Sequence, residues 1–311
     1  MKCVRCRARP EVYLRAHNAA FCRPCFVGWF QRQVERTIAA ERMCTAGDRI
    51  LVAVSGGKDS LALWDALVAL GHRTTGFYLA QGISGYSQRS RQKVEAFALG
   101  RGLELRVHDL ADEGLEVPGV AAATRRSPCS ACGTLKRHFF DQAALEGRFD
   151  VLATGHNLDD EAARLLGNLL RWQTTHLVRQ RPVLEPRHAA QVRKVRPLFL
   201  LGEYETAVYA FMRGIDSVVE ECPNAEGATQ LLYKDALNRI EAASPGSKLS
   251  FVREFLRTGQ AFFAAGAPHE EGPPGSCERC ALPAFGRLCA HCRLVIEVER
   301  RRGGGTPAAS V

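Results

Sequence analysis

The stretch Ser55-Gly56-Gly57-Lys58-Asp59-Ser60 constrains this chain more than any other. It follows the apolar run Ile50-Leu51-Val52-Ala53-Val54 and opens a segment in which Leu61, Trp64, Leu67 and Val68 recur at helical spacing. A buried strand, a glycine turn and a helix N-terminus in that order make an anion site. Backbone N–H groups of the turn point outward, and the helix dipole favours negative charge there. Gly56 and Gly57 let the backbone close on an anion without a Cβ in the way. Ser55, Ser60 and Lys58 add donors and a positive charge. An ordinary capped turn needs no such convergence. The adjacent glycines also exclude a Walker A loop, which sets four residues between its first Gly and Gly-Lys-Ser/Thr.

The chain then repeats strand and helix. Strands are expected at 49–54, 75–79, 103–107 and 151–154, with helices at 59–70, 87–101, 135–145 and 159–170. Such alternation implies a doubly wound α/β fold, a parallel sheet covered on both faces. Ligands of these sheets bind beyond the carboxyl ends of the strands. Ala80-Gln81-Gly82-Ile83 and Gly155-His156-Asn157 are therefore expected beside the glycine loop. Asp159 and Asp160 open a helix, where they either cap it or, next to a nucleotide, position Mg²⁺ or act as a base. Further helices are expected at 28–42, 203–213, 229–242 and 248–256. Residues 174–198 read as a basic loop carrying Arg179, Arg181, Arg187, Arg193, Lys194 and Arg196. This is either a solvated loop or a patch for a phosphate backbone.

Net charge is +9, and only seven of the 42 basic residues are lysine. Heavy use of Arg suits a polyanionic partner, although genome composition or heat adaptation produces the same bias. No apolar run approaches the ~20 residues of a membrane helix. Met1-Lys2-Cys3 is not followed by the apolar run of a secretory signal. The expectation is a cytoplasmic protein with no membrane contact.

Twelve cysteines dominate the remaining chemistry. Cys3, Cys6, Cys22 and Cys25 form two Cys-x-x-Cys pairs, as do Cys277, Cys280, Cys289 and Cys292. Each set has the spacing of a closed tetrahedral zinc site, and a redox pair would not need four thiols. His17 reads as solvated, and His291 could replace a neighbouring cysteine, though four thiolates are simpler. Cys129, Cys132 and Cys222 stand outside both sets. They fit a redox pair, a zinc site short of one ligand, or an iron–sulfur cluster with one open iron. Lying near Lys136, Arg137 and His138 at a helix start, Cys129 and Cys132 are expected to be largely thiolate. The chain divides into a ribbon at 1–28, a connecting helix at 29–46, a catalytic domain at 47–220, a helical extension at 221–270, a second ribbon at 271–302 and a disordered tail at 303–311.

Together these motifs resemble the tRNA 2-thiouridine synthetase family of PP-loop ATP pyrophosphatases. The resemblance rests on Ser55–Ser60, Cys129-Ser-Ala-Cys132, Thr154-Gly-His-Asn157, Leu158-Asp-Asp-Glu161, Glu221-Cys222-Pro223-Asn224 and the two ribbons. It is strongest to the branch acting on 5-methyluridine 54, with the wobble-uridine thiolases close behind. It implies a HUP-like sheet and ATP-dependent adenylation of the uracil C2 oxygen in tRNA, releasing diphosphate. Sulfur would then come from a ubiquitin-like carrier with a C-terminal thiocarboxylate, by way of one 4Fe–4S cluster. Implied ATP contacts are Ala53, Val54, Ser55, Gly56, Gly57, Lys58, Asp59, Ser60, Leu79, Gly155 and His156. Implied catalytic residues are Cys129, Cys222, Lys136 and Asp160, with Cys129, Cys132 and Cys222 holding the cluster. Mg²⁺, two Zn²⁺ and a homodimer complete the implied set. Ala80-Gln81-Gly82 departs from the family, which usually has an acidic residue before that Gly. Another tRNA-modifying ATP pyrophosphatase, acting on cytidine or making lysidine, and a non-catalytic zinc-ribbon RNA-binding module are the alternatives.

Overall fold

The computed structural model describes residues 1–225, 227–265 and 272–303. In chain order the elements are β1 (Val12–Leu14), β2 (Ala19–Phe21), α1 (Arg23–Ala40), β3 (Arg49–Val54), α2 (Lys58–Ala69), β4 (Arg73–Ala80), α3 (Tyr86–Arg101) and β5 (Leu105–Asp109). There follow α4 (Val117–Thr124), α5 (Pro128–Glu146), β6 (Val151–Thr154), α6 (Leu158–Leu170), α7 (Thr174–Arg179), β7 (Val183–Leu184), β8 (Arg193–Val195) and α8 (Glu203–Met212). The chain continues through α9 (Thr229–Ala243), α10 (Ser247–Glu254), α11 (Gln260–Ala265), β9 (Gly275–Ser276), β10 (Pro283–Ala284) and α12 (Ala290–Gly303). The expected ribbon boundary at 270/271 and the tail from 304 onward lie outside the described residues.

The main sheet has the order β5-β4-β3-β6-β8-β7, parallel except for β7 against β8. The chain runs outward from β3 to β5, then returns to β6 on the other side of β3. That reversal opens a crevice beyond the carboxyl ends of β3 and β6. Register places Ala53 opposite Thr154, so the loops leaving β3 and β6 emerge side by side.

Alternation along β3 assigns its two faces. Ile50, Val52 and Val54 pack into a core with the N-terminal hairpin, α1, α2, α6 and α8. Leu51 and Ala53 point the other way, into a core with α4, α5 and α12. Five consecutive buried side chains from Ile50 to Val54 anchor the strand, each large one contributing about 1.5–3 kcal/mol. The two ribbons therefore brace opposite faces of the same sheet.

Two elements differ from expectation. Residues 174–198 are not a plain loop: α7, β7 and β8 lie there and close the sheet edge. These elements are too short to show a period. The helix expected at 135–145 starts at Pro128, because Ser127 caps it by accepting from Ser130 N and Pro128 takes the first turn. Cys129 and Cys132 thus sit in the helix, not in a preceding loop. Among the described residues, no helix is long and apolar enough to cross a membrane.

Candidate active site

The glycine turn is built by close backbone packing. Gly56 has φ +81°, and a Cβ there would lie 2.8 Å from Ser90 O, so only glycine fits. Ser60 Oγ accepts from Ser55 N at 3.1 Å and donates to Gly57 O at 3.0 Å, fixing the first turn of α2. Gly155 closes the crevice from the β6 side. A Cβ there would sit 2.8 Å from Ser60 N and Cα. Asn157, fully buried, caps α6 in a box with Asp160. The segment leading to Cys222 is pinned to the same turn: Val218 N donates to Gly56 O at 2.9 Å.

Beyond these strand ends lies a cleft of about 520 Å³. Of the residues singled out from sequence, Ala53, Val54, Ser55, Asp59, Ser60, Leu79, Gly155, His156, Lys136, Asp160 and Cys129 line it. Gly56, Gly57 and Lys58 form the turn behind it. Gln81, expected beside the glycine loop, also lines the wall, as do Phe140 and Lys234, which the sequence does not single out. Lys234 comes from α9, where only its place on a helix after Cys222 could have hinted at the site.

A chain of alternating charges crosses the floor. Lys58 Nζ lies 3.1 Å from Asp59 Oδ2 and 2.7 Å from Glu203 Oε1. Lys234 Nζ lies 3.3 Å from Glu203 Oε2 and 2.7 Å from Asp160 Oδ1. Burial alone would neutralise these groups, but each partner opposes it. Lys58 and Lys234 stay above the usual lysine range, and Glu203 and Asp160 stay below the usual carboxylate range. Asp59 goes the other way: burial raises it despite Lys58. His156 has one side open to the cleft, yet crowding by protein, reinforced by Arg164 and Arg196, lowers it to about 4. It is neutral at physiological pH.

Of the three unassigned cysteines, Cys129 lines this cleft, and Cys132 feels the charge of both Cys129 and Cys222. Cys129 Sγ meets Asn224 O at 3.2 Å, and Cys132 Sγ meets Gln81 Oε1 at 3.1 Å. Burial raises the Tyr86 hydroxyl, and Cys222 and Cys132 add to that rise. Cys132 contradicts the expected thiolate. Burial raises its pKa, and Lys136 offsets only part of this. Helix position had suggested the opposite because it carries no measure of desolvation.

The cysteine sets differ in how tightly they gather. All three cysteines are free of disulfides. Each ribbon set has its four sulfurs within 4.8 Å of one another, whereas Cys129, Cys132 and Cys222 do not form such a group. The partners of Cys129 and Cys132 are oxygen acceptors, which a metal can displace.

The ribbon sets Cys3, Cys6, Cys22, Cys25 and Cys277, Cys280, Cys289, Cys292 are each gathered tightly enough for one ion, as zinc ribbons require. His17 is exposed, as expected, but it has partners within the fold. Its Nε2 lies 2.7 Å from Glu205 Oε1, and its ring meets Trp29 edge-on. His291 stacks on His138 at 3.5 Å. A cavity of about 620 Å³ lies beside the N-terminal ribbon. Its walls include the ion pairs His17–Glu205 and Lys248–Asp159, which are already compensated. The loop and the extra cysteines therefore mark the smaller cleft as the chemical one. Part of the basic 174–198 charge is likewise internal: Arg193 pairs with Glu185, Lys194 with Asp141 and Arg196 with Glu161.

Comparison with known proteins accords with this geometry. Residues 29–227 match the family described as PP-loop domain, and residues 2–27 match that described as 2-thiouridine synthetase TtuA, N-terminal LIM domain. The chain is similar to the tRNA-5-methyluridine(54) 2-sulfurtransferase of Thermus thermophilus, 47% identical over 97% of this chain and 93% of the relative. Its namesake from Pyrococcus horikoshii is 39% identical over 94% and 93%. Among solved structures, the U34-tRNA thiolase NcsA from Methanococcus maripaludis with its [4Fe-4S] cluster shares the fold. The TM-score is 0.78 at 24% identity, covering 94% of this chain and 95% of that one.

Proposed function

The chain belongs to the tRNA 2-thiouridine synthetase family of PP-loop proteins, and from that premise we propose that it replaces the C2 oxygen of 5-methyluridine 54 in tRNA by sulfur at the expense of ATP. The observation that carries this reading is the single cleft shared by the glycine loop, Lys136, Asp160 and Cys129.

ATP binds with its phosphates on the N–H groups of the turn and the start of α2. Lys58 and Lys136 offset the charge that gathers on the α-phosphate during transfer. Asp160, ionised by its pairing with Lys234, accepts the uracil N3 proton as the C2 oxygen attacks that phosphorus and the bond to diphosphate breaks. Sulfide then adds at C2, the C2–O bond breaks, and AMP leaves. Asp59 and Asp160 are carboxylates lining the cleft and would be the side chains to orient Mg²⁺. A cluster held by Cys129, Cys132 and Cys222 would supply an iron with an open coordination position. The reading includes a ubiquitin-like thiocarboxylate carrier as sulfur donor and a homodimer, both drawn from the family resemblance. It also includes zinc in the two ribbons. The setting is the cytoplasm, whose reducing conditions keep thiols available as metal ligands.

Mass spectrometry of tRNA nucleosides from a deletion strain tests the reading. Loss of 5-methyl-2-thiouridine is expected. Loss of a different modified nucleoside, such as 2-thiocytidine or lysidine, rejects it.

A further inference from the structure

We propose that Lys234 on α9 is a phosphate-binding residue of the nucleotide site, held ready for its ligand by Asp160 and Glu203. The inference rests on the reading of the cleft as the ATP site and adds to it a residue from outside the sheet.

Lys234 lines the same cleft as Ser55, Ser60 and Lys136. Its ammonium has three donors. Among the described residues it meets two carboxylates, Asp160 Oδ1 at 2.7 Å and Glu203 Oε2 at 3.3 Å, which leaves one N–H for a ligand. Those carboxylates fix where the charge sits, so a phosphate meets a cation that needs no further ordering.

Glu203 gives the arrangement its logic. One oxygen holds Lys58 at 2.7 Å and the other reaches Lys234. One carboxylate thus stands between the loop cation and the α9 cation and serves both. Without nucleotide it adds a shared counter-charge between the two ammonium groups, beside Asp59 on Lys58 and Asp160 on Lys234. A phosphate entering the cleft supplies a second counter-charge to the same two cations. Lys234 reaches the phosphate, while Glu203 acts as a positioning residue through both lysines. α9 itself follows the Cys222 segment, and Ala225, Ala228 and Leu231 from that stretch form the adjoining wall. A phosphate gripped by Lys234 therefore ties the cysteine-bearing segment to the glycine loop.

The test is calorimetric binding of ATP, inorganic diphosphate and adenosine to the full-length protein and its variants, with tRNA-dependent diphosphate release measured in parallel. Lys234→Ala is expected to weaken ATP and diphosphate by about tenfold or more, the scale of one charge-assisted hydrogen bond, and to leave adenosine unchanged. Lys234→Arg should recover most of the loss, which a merely structural defect would not permit. Glu203→Gln should alter the KM for ATP more than kcat. The inference is overturned if Lys234→Ala binds ATP as tightly as the wild type, or if adenosine and diphosphate weaken equally. In both cases the ATP-site reading survives through the wild type. A wild-type protein that binds no ATP overturns that reading and this inference together.

Discussion

Asn157 donates through Nδ2 to Asp59 Oδ1 at 3.1 Å while its Oδ1 accepts from Asp160 N at 3.1 Å. One buried amide thus ties the glycine-loop helix to the cap of the helix after β6. It does so at the point where the strand order reverses. Asn157→Ala removes both bonds and should cost about 1–3 kcal/mol of stability. Asn157→Asp keeps a capping oxygen but faces Asp59 with a like charge. It should retain more of the cap yet still bind ATP poorly. Urea denaturation midpoints and ATP calorimetry on the two variants separate these effects. Equal ATP affinity in wild type and Asn157→Ala would show that the tie does not serve the site.

Gly155→Ala should be more damaging than an exposed helix substitution of the same kind. The added methyl meets backbone atoms of Ser60, not the end of a flexible side chain. Overpacking of this sort costs about 1–3 kcal/mol. Relief requires the β6 loop to move away from α2, which widens the crevice. The expected result is a lower denaturation midpoint together with weaker ATP binding. An unchanged affinity would mean that the two turns can separate without consequence.

How legible this site was depended on sequence distance. The glycine loop and its flanking strand could be read because strand, turn and helix signals are contiguous, and β3 and β6 fall where their apolar runs predict. The ribbons were readable because ligand spacing is local. Glu203 and Lys234 were not, since they meet Lys58 and Asp160 only after the chain has wound around the sheet. The protonation of Cys132 is not legible for a related reason. Proximity to Lys136 can be seen along the helix, but burial by Gln81 and the facing segment cannot. His17 similarly found Glu205 across the fold, a contact no local pattern announces.

The cysteines make a prediction about metal content. Cys132→Ala and Cys222→Ala should each lose iron and brown colour under anaerobic purification while retaining the zinc of the ribbons, because the ribbon sulfurs form separate sets that include neither residue. Activity should fall with the iron. Iron-free wild-type protein with full thiolation activity would instead support a persulfide relay between Cys129 and Cys222. Metal analysis and visible absorption on the same samples decide it.

Asp65 provides a control away from the cleft, with a defined pH dependence. It is buried on α2 and accepts from Tyr209 Oη at 2.8 Å, Arg213 Nε at 2.7 Å and Arg101 Nε at 3.0 Å. Burial alone would raise its pKa, but Arg213, Tyr209 and Arg101 reverse that and hold it below the usual carboxylate range. A depressed folded pKa means that the unfolded chain binds the proton first as pH falls. The stabilisation is therefore complete above about pH 4, near the ordinary aspartate value, and is lost as pH drops through the folded value. Asp65→Asn should cost about 3–5 kcal/mol at pH 7, since it leaves two guanidinium groups without their carboxylate. The gap between wild type and variant should narrow steadily below about pH 4. Urea midpoints at a series of pH values measure that gap. A gap that stays constant down to pH 3 would mean that Asp65 contributes packing and not charge.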